Sequence, residues 1–485
     1  MHLSSRFETV TLVAAAVLLV ACAGLDVVRA ADAELVAGFA VTDISPQVGG
    51  VKPVWLAGYG WGRAATSVHD PLFARAVYLR DKQGMEFAFV SVDLVGLQFP
   101  QVEETRRALP DLDYLMIGST HNHEGPDTIG IWGKTPFQRG VDGDYLSLVV
   151  SRIAEAVNEA RAASRPVHVA FGTATDESLL GDSRKPYAKD GVLRVLRFDD
   201  ADSGATTGIL VQWNCHPEAM GSQNQAVTAD FCYATIQQLE RKYDCKIAYF
   251  TGAVGGLMAP PDGRFKNEAG RTLREGEFAY AEAYGQAVAT LAEQAIESAA
   301  PITLTPFQVA YRSVAIPVRN GLYRTARVLG IVRREGVLWT GDFRVADRPA
   351  IPILNQTYAV RSEIGCARMG DLVTVAIPGE LYPELVYGQF QEPVEPNVDF
   401  PDAPLEPTIQ QLVPSGKKWL LFGLANDEIG YIIPKRQWDL DPPFAYGRTK
   451  PQYGEVNSCG VDVAPIVMQA VAERLADLGL TPSSN

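Results

Sequence analysis

The sequence predicts a mixed α/β fold in which layered β-sheets are flanked by helices. Short apolar runs with the two-residue period of strands recur along the chain, and segments with the 3.6-residue period of helices lie between them. No repeat or break in composition divides the chain, whose 485 residues are 47% hydrophobic and can bury a large core. We therefore expect a single large catalytic domain.

The periodic segments give the expected elements in chain order. The helix at 144–163 has Asp144 as its predicted N-cap, and the segment at 278–298 has the clearest helical period. Strands are predicted at 35–44, 74–80, 86–93, 114–119, 167–175, 192–198, 207–213, 246–251, 307–317, 371–377 and 418–423, and helices at 102–108, 144–163, 231–242, 278–298 and 461–478.

The charge of the chain excludes two classes of partner. A formal net charge of −14 and a pI near 5.0 argue against binding of nucleic acid and against electrostatic attachment to anionic membranes. Any contact with lipid is therefore expected to be hydrophobic, and nothing in the sequence implies a protein partner.

The N-terminus has the pattern of a secretory leader, with Arg6 ahead of an apolar run at 10–20 that is too short to span a bilayer. Cleavage after Ala30 fits a signal peptide, whereas the Leu-Val-Ala-Cys sequence ending at Cys22 fits a lipoprotein, which we favour. We expect a leader at residues 1–30, one folded domain at 31–485, export to the periplasm or the cell exterior, and tethering to the membrane through Cys22.

The remaining five cysteines are widely scattered and have no C-x-x-C spacing. The sequence leaves open one disulfide, between Cys232 and Cys245, or buried apolar thiols without any bridge.

Histidines follow predicted strands at two places. Tyr114–Ser119 leads into His121 and His123, which would project to the same side of an extended chain, and the strand at 207–213 leads into His216. Glu380 is delivered at a third strand end, after Pro378 and Gly379. Groups at strand ends tend to converge on one cleft.

A hydrolytic zinc site needs about three protein ligands and an open position for water, and two of these histidines with Glu380 satisfy that need. Other carboxylates could supply the third ligand, and spacing alone does not choose among Asp93, Glu124, Asp127, Glu218 and Asp230. His69 either joins the site or occupies a turn, and His168 is expected to be structural. The letters HNH at 121–123 do not indicate a nuclease, because the acidic chain lacks a basic nucleic-acid footprint.

Several motifs, in order, resemble those of neutral/alkaline non-lysosomal ceramidases. Ser119 to Pro126 is similar to the S-T-H-T-H-S-G-P stretch of that family, and Ile377 to Leu381 to its P-G-E-F turn. Further similar segments are Gly38 to Ile44, Leu56 to Gly60, Asp182 to Pro186, Asn214 to Met220, Thr228 to Phe231, Gly423 to Asn426 and Gly430 to Pro434.

The resemblance implies a zinc amidohydrolase with Zn²⁺ as cofactor. It implies the zinc ligands His121, His216, Glu380 and Tyr431. It also implies substrate contacts from His123 and Arg184, with Tyr453 as a further substrate-side residue. His123, Arg184 or Tyr431 would stabilise the oxyanion that forms during catalysis.

Two departures from the family pattern bear on function. The G-D-V-S-P-N loop of the family corresponds to 252–260, where Gly255 or Gly256 replaces the serine, so this loop supplies no serine nucleophile. The sequence also ends without the C-terminal immunoglobulin-like domain of the larger ceramidases.

We expect hydrolysis of an N-acyl amide by zinc-activated water, with ceramide or a related sphingolipid as substrate. The two departures keep two alternatives open. One is a zinc hydrolase of esters, lactones or small non-lipid amides, and the other is an envelope binding protein with a degenerate site.

Overall fold

Two large β-sheets form the framework of the computed structural model, which describes residues 35–350 and 358–481. The predicted leader at 1–30, with Cys22, lies outside the described residues. No helix in the described ranges is both long and apolar enough to cross a membrane.

The strands are β1 Val36–Asp43, β2 Ser67–Val68, β3 Phe73–Arg80, β4 Glu86–Val92, β5 Tyr114–Ser119, β6 Arg165–Thr175, β7 Gly181–Asp182, β8 Val192–Asp200, β9 Thr206–Trp213, β10 Ala226–Val227, β11 Lys246–Thr251, β12 Met258–Ala259, β13 Ala300–Ile302, β14 Phe307–Val318, β15 Gly336–Leu338, β16 Pro349–Ala350, β17 Tyr358–Met369, β18 Leu372–Ala376, β19 Glu380–Leu381, β20 Lys418–Phe422 and β21 Tyr431–Ile432. The helices are α1 Phe99–Ala108, α2 Gly143–Ala162, α3 Asp230–Tyr243, α4 Phe278–Glu297, α5 Gly321–Val328, α6 Glu384–Tyr387, α7 Ile409–Leu412, α8 Tyr453–Val456 and α9 Val463–Asp477. Short 3₁₀ turns lie at Glu177–Leu179, Lys435–Gln437 and Ala445–Gly447.

The first sheet has the strand order β11-β9-β8-β6-β1-β3-β4-β5, with β13 paired to β6. Its two ends are parallel pairs, β4 with β5 and β9 with β11, while the pairs between them are antiparallel. The chain leaves β5 and β9 directly towards the predicted histidines, so the parallel ends of the sheet carry the site.

The sheet folds back on itself and forms two layers. The Ser91 hydroxyl on β4 donates a hydrogen bond to the Tyr249 carbonyl on β11, and the Phe89 and Phe250 rings pack with centroids 6.5 Å apart. Helices α1 and α2 cover one layer, and α3 and α4 cover the other. The result is a helix–sheet–sheet–helix arrangement with an apolar core between the two layers.

The second sheet has the order β16-β15-β17-β18-β20, with β14 paired along β17, and helix α9 packs on β14 and β17. Its backbone approaches the first sheet closely at Gly423, whose N–H donates to the Thr251 carbonyl at 2.9 Å. A methyl group added at Gly423 would lie 2.1 Å from the Gly252 carbonyl oxygen, so glycine is required at this contact.

The mixed α/β fold with layered sheets is confirmed, and most predicted strands and helices lie within a few residues of their expected bounds. The predicted N-cap of α2 is wrong, because the helix begins at Gly143 and the Asp142 carboxylate accepts the Asp144 backbone N–H. The sequence analysis also omitted α5 and β17.

The proposed disulfide alternative is wrong. Cys215, Cys232, Cys245, Cys366 and Cys459 are all free thiols, and all but Cys245 are buried. The interpretation as buried thiols fits these four residues.

Candidate metal centre

Three side chains from distant parts of the chain converge at one point. The ligand atoms of His121, His216 and Glu380 all lie within 4.8 Å of one another. The His216 Nε2 is 2.9 Å from the Glu380 Oε2, and the His121 Nε2 is 3.5 Å from the same oxygen. All three side chains are buried, and His121 and Glu380 line a cavity of about 120 Å³.

Both histidines are oriented by backbone carbonyls. The Nδ1 of His121 lies 2.6 Å from the Val95 carbonyl oxygen, and the Nδ1 of His216 lies 2.8 Å from that of Met258. A carbonyl only accepts, so Nδ1 carries a proton in each ring, and it is the neutral form of each ring whose Nε2 lone pair can bind a cation. Histidines that bind a metal through one ring nitrogen typically donate the N–H of the other nitrogen to an acceptor such as a backbone carbonyl.

The electrostatics of the three groups are strongly coupled. Burial opposes charge on His121, but the neighbouring Glu380 carboxylate outweighs it and raises the pKa of His121 to about 9. Burial likewise acts to raise the pKa of Glu380, but His121 and His216 hold that pKa well below its usual range. The site therefore keeps a buried carboxylate ionised beside two imidazoles, as a cation-binding centre requires.

The local geometry at His121 differs from the prediction. Strand β5 ends at Ser119, and His121 adopts a left-handed backbone conformation with φ of +67°. The expectation that His121 and His123 project from one face of an extended strand is therefore wrong. A turn brings their rings to a centroid distance of 4.8 Å, and His123 is not among the three converging ligand groups.

His123 has a separate partner in the cavity wall. Its Nδ1 lies 2.9 Å from the Glu218 Oε1, and burial lowers its pKa although the Glu218 carboxylate acts in the opposite direction. Gly58 backs the ring so closely that a Cβ there would lie 2.6 Å from the His123 Cγ. Glycine at position 58 therefore allows the close approach of the His123 ring.

Tyr431 is brought beside Glu380 by strand pairing. Strands β19 and β21 are parallel, with Glu380 opposite Tyr431, and both side chains line the cavity. Burial, followed by the charge of Glu380, raises the pKa of the Tyr431 phenol well above its usual value. The phenol thus stays protonated at neutral pH and can donate a hydrogen bond. Its role as a zinc ligand remains a prediction.

Tyr453 and Arg184 occupy different environments. Tyr453 lines the cavity, is half exposed, and its ring centroid lies 6.0 Å from that of Tyr431. Arg184 is fully buried outside the cavity lining, where its guanidinium donates to the Glu455 carboxylate at 2.5 Å and to the Gln437 carbonyl at 2.9 Å. Glu455 belongs to helix α8, which begins at Tyr453, so Arg184 anchors the element that presents Tyr453. Direct contact of Arg184 with substrate remains a prediction.

The competing carboxylates are engaged elsewhere. Asp93 pairs with Arg75 at 2.6 Å, Glu124 with Arg63 at 2.5 Å, and Glu218 faces His123. Two others are held by backbone N–H groups, Asp127 by those of Ile129, Gly130 and Trp132, and Asp230 by those of Ala219, Met220 and Phe231.

The remaining histidines do not join the cluster. His69 is exposed, stacks on Phe278 with ring centroids 3.6 Å apart, and lies 3.1 Å from Asp70. His168 lies within β6. These positions fit the interpretation of His69 as a turn residue and of His168 as a structural residue.

The loop at 252–260 supports Glu380 instead of supplying a nucleophile. The Gly255 N–H donates to the Leu381 carbonyl at 2.9 Å, which ties the loop to β19. A Cβ at Gly255 would lie 2.3 Å from the Tyr382 ring and 2.7 Å from the Tyr382 nitrogen. A serine would not fit at this position without displacing the chain.

Sequence reasoning missed Glu428, which also lines the cavity. One of its carboxyl oxygens accepts the Gly430 N–H at 2.7 Å, and burial together with nearby Glu380 raises its pKa to about 8. The two adjacent acidic residues at 427–428 are typical of a solvent-exposed loop, so the sequence does not indicate that Glu428 lies in the cavity wall.

The donor set fits zinc. Two imidazoles and one carboxylate match the ligand number and type of catalytic zinc sites. The buried Nε2 and Oε2 atoms already face one another, and Tyr431 lies alongside.

The fold has known counterparts, although no family profile and no curated protein matches the sequence. The structure of neutral ceramidase from Pseudomonas aeruginosa superimposes with a TM-score of 0.66 over 93% of this chain and 76% of that one, at 16% identity. A ceramidase structure described as complexed with C2 gives a TM-score of 0.65 with the same coverage, at 15% identity. We conclude that this chain has the neutral ceramidase fold, as its sequence motifs predicted.

Proposed function

We propose that this protein is a zinc-dependent hydrolase of N-acyl amides, with ceramide or a related sphingolipid as substrate. One observation supports the proposal above all others. His121 and His216, which follow strands β5 and β9 of the first sheet, converge with Glu380, which follows strand β18 of the second sheet, in a buried group at a cavity.

The cavity wall favours a substrate with an apolar chain. Beyond the polar cluster its lining is mainly aliphatic and aromatic, and includes Ile129, Ile131, Trp132, Val318, Val332, Val360 and Ile429. A wall of this kind binds hydrocarbon, whereas the few polar groups fix the orientation of the reacting bond. An N-acyl lipid has both parts.

A bound zinc ion would supply Lewis-acid activation of water and of the amide carbonyl. His121, His216 and Glu380 would hold it, with Tyr431 as the additional ligand implied by the family resemblance. The chain otherwise contributes preorganised hydrogen-bond donors.

His123 and Tyr431 are the groups best placed to act on the substrate. His123 faces the cavity, and its Nδ1, which lies beside the Glu218 carboxylate, carries the proton of the neutral ring, so its Nε2 is left to accept a proton or a hydrogen bond from the substrate. The protonated Tyr431 phenol lies in the same wall. A donor aimed at a developing oxyanion typically contributes about 3 kcal/mol to transition-state stabilisation.

The test is hydrolysis of a substrate panel by zinc-loaded protein. The panel contains a fluorescent short-chain ceramide, an acyl ester and a lactone, each assayed with and without a chelator, and Glu380→Gln serves as the inactive control. We expect ceramide turnover that chelation abolishes and zinc restores. Turnover of esters alone would reject the lipid amide, and no turnover by zinc-loaded protein would favour a binding protein.

A further inference from the structure

Glu428 contributes a carboxyl group to the cavity wall, apart from the three groups that converge on one point. Its Oε1 accepts the Gly430 N–H at 2.7 Å, whereas its Oε2 is buried and has no hydrogen-bond partner among the described residues. A buried polar atom that stays unpaired is costly. An unpaired oxygen in a cavity wall therefore indicates a place where a ligand completes the hydrogen bond.

The neighbouring residues hold the Glu428 side chain in place. The Asp427 carboxylate pairs with the Arg334 guanidinium at 2.8 Å. The same carboxylate accepts the backbone N–H groups of Phe99 at 3.0 Å and of Glu428 at 2.8 Å. Gly96 packs on the side chain so closely that a Cβ there would lie 2.7 Å from the Glu428 Cβ. Arg334 also lines the cavity, but because it pairs with Asp427 the Glu428 carboxyl is left for another contact.

Gln98 places a second polar side chain in the same part of the wall. It directly precedes Phe99, whose N–H binds the Asp427 carboxylate next to Glu428. Gln98 is buried and lines the cavity, and its side-chain amide has no hydrogen-bond partner in the parts of the chain that the structure describes. We call Gln98 and Glu428 the polar pair.

The polar pair lies beside the candidate metal centre. Gly430 joins Glu428 to Glu380, because its N–H donates to the Glu428 carboxyl and its carbonyl accepts the Glu380 N–H at 3.1 Å. The other member of the pair follows three residues after Val95, whose carbonyl orients His121. A substrate with its amide at the metal centre therefore brings its nearest substituents to the polar pair.

A hydroxyl group matches the polar pair best. It can donate to the Glu428 Oε2 and accept from the Gln98 Nε2, whereas a methyl group would leave both unpaired. A carboxylate can only accept, and it would repel an ionised Glu428.

We propose that Gln98 and Glu428 form a subsite that binds a hydroxyl group next to the scissile amide. The hydroxyl belongs either to the amine portion or to the acyl portion of the ligand, since the chemistry is the same in both. That the ligand is an N-acyl amide rests on the proposed function.

Calorimetric titration with three closely matched ligands, in the presence of chelator, tests the subsite without catalysis. N-hexanoylethanolamine carries a hydroxyl on the amine portion, N-(2-hydroxyhexanoyl)propylamine carries it on the acyl portion, and N-hexanoylpropylamine has none. We expect one hydroxylated ligand to bind about tenfold more tightly than N-hexanoylpropylamine. The tighter ligand shows which portion lies at the polar pair.

Two leucine variants remove the contact. Glu428→Leu and Gln98→Leu should each lower the hydroxyl preference to about twofold or less, without weakening the binding of N-hexanoylpropylamine. Glu428→Gln keeps a hydrogen-bonding group of the same shape and should retain most of the preference. Val332→Ala in the apolar wall is the matched control and should weaken the binding of all three ligands alike.

The proposal is overturned if neither hydroxylated ligand binds more tightly than N-hexanoylpropylamine, which includes an absence of binding by all three. It is also overturned if either leucine variant keeps the preference. A hydroxyl preference without amide hydrolysis by the zinc-loaded protein would reject the proposed function alone. Hydrolysis of all three amides at equal rates, without a preference in binding, would reject the subsite alone.

Discussion

A variant at His123 can distinguish the proposed metal-binding residues from the proposed substrate-binding residues. It contacts Glu218 and lines the cavity, but it is not one of the three groups that converge on a single point. We expect His123→Ala to keep its zinc and to lower kcat by about a hundredfold or more, because an imidazole that accepts a proton or a hydrogen bond in the transition state is lost. Metal analysis and ceramide kinetics of the same preparation check both effects. If His123→Ala loses its zinc, His123 is a zinc ligand. If kcat is unchanged, His123 has no role in the reaction.

Burial of Glu384 predicts how the free energy of unfolding changes with pH. Its side chain is buried, and neither carboxyl oxygen has a hydrogen-bond partner among the described residues. Burial raises the pKa of Glu384 from 4.5 to about 7. When a carboxyl group has a higher pKa in the folded than in the unfolded protein, its proton stabilises the folded state at low pH. This stabilisation is lost as the pH rises from the pKa in the unfolded state to the pKa in the folded state. Ionisation of Glu384 should therefore lower the free energy of unfolding by about 3 kcal/mol between pH 4.5 and 7.

Glu384→Gln removes this penalty. We expect the variant to gain stability relative to the unmodified protein at pH 8, and to differ much less at pH 5, as measured by urea unfolding. The exposed Glu335→Gln is the control and should show no such difference. An E384Q stability difference that is the same at both pH values would contradict the raised pKa.

At the residue scale, the sequence predicted which histidines lie close together better than it predicted their backbone conformations. His121, His123 and His216 stood out because each follows an apolar strand, and the structure brings them to ring separations of 4.8 to 5.9 Å. The left-handed turn at His121 was not predictable, because glycine is the usual signal for such a turn. Glu380 was one carboxylate among several until the family resemblance distinguished it.

At the scale of elements, helix α8 is held by one buried ion pair. Arg184→Met would leave the Glu455 carboxylate buried without its partner, so we expect the free energy of unfolding to fall by about 3–5 kcal/mol. The double variant R184M/E455M should recover most of that loss, because neither charge remains. Chemical denaturation of the single and double variants measures the coupling. If the double variant is as unstable as the single one, the ion pair is not the cause.

The elements that the sequence analysis missed share a physical reason. Strand β17 is buried on both faces over most of its length, so its sequence lacks the alternation of a half-exposed strand. Helix α5 has the opposite character, since it buries no residue and its one leucine, Leu322, is exposed. Periodicity detects elements with one buried face, and neither of these has one.

At the scale of the whole molecule, the site exists only where the two sheets meet. Gly423→Ala would push a methyl group against the Gly252 carbonyl and force the sheets apart. We expect a loss of about 3 kcal/mol in unfolding free energy and weaker zinc binding, because the histidines follow strands of the first sheet whereas Glu380 follows β18 of the second sheet. Thermal unfolding and zinc titration measure the two effects. Gly60→Ala, where the added methyl group meets nothing within 4 Å, is the control and should behave like the unmodified protein.

The layered α/β class followed from local periodicity, but the path of the chain through the layers did not. Pairing of β5 with β4 and of β9 with β11 joins segments separated by helices, and the contact of Gly423 with Gly252 spans much of the chain. Such contacts depend on side chains that meet only after folding. The collinear family motifs, rather than periodicity, placed Glu380 and Tyr431 with the histidines.

The central claim is that His121, His216 and Glu380 together hold one zinc ion. Calorimetric titration of metal-free protein with zinc, followed by metal analysis, tests it most directly. We predict one tightly bound zinc per chain, which is lost in His121→Ala, His216→Ala and Glu380→Gln but retained in His168→Ala, whose side chain lies within β6. Zinc bound equally well by His216→Ala and Glu380→Gln would contradict the account.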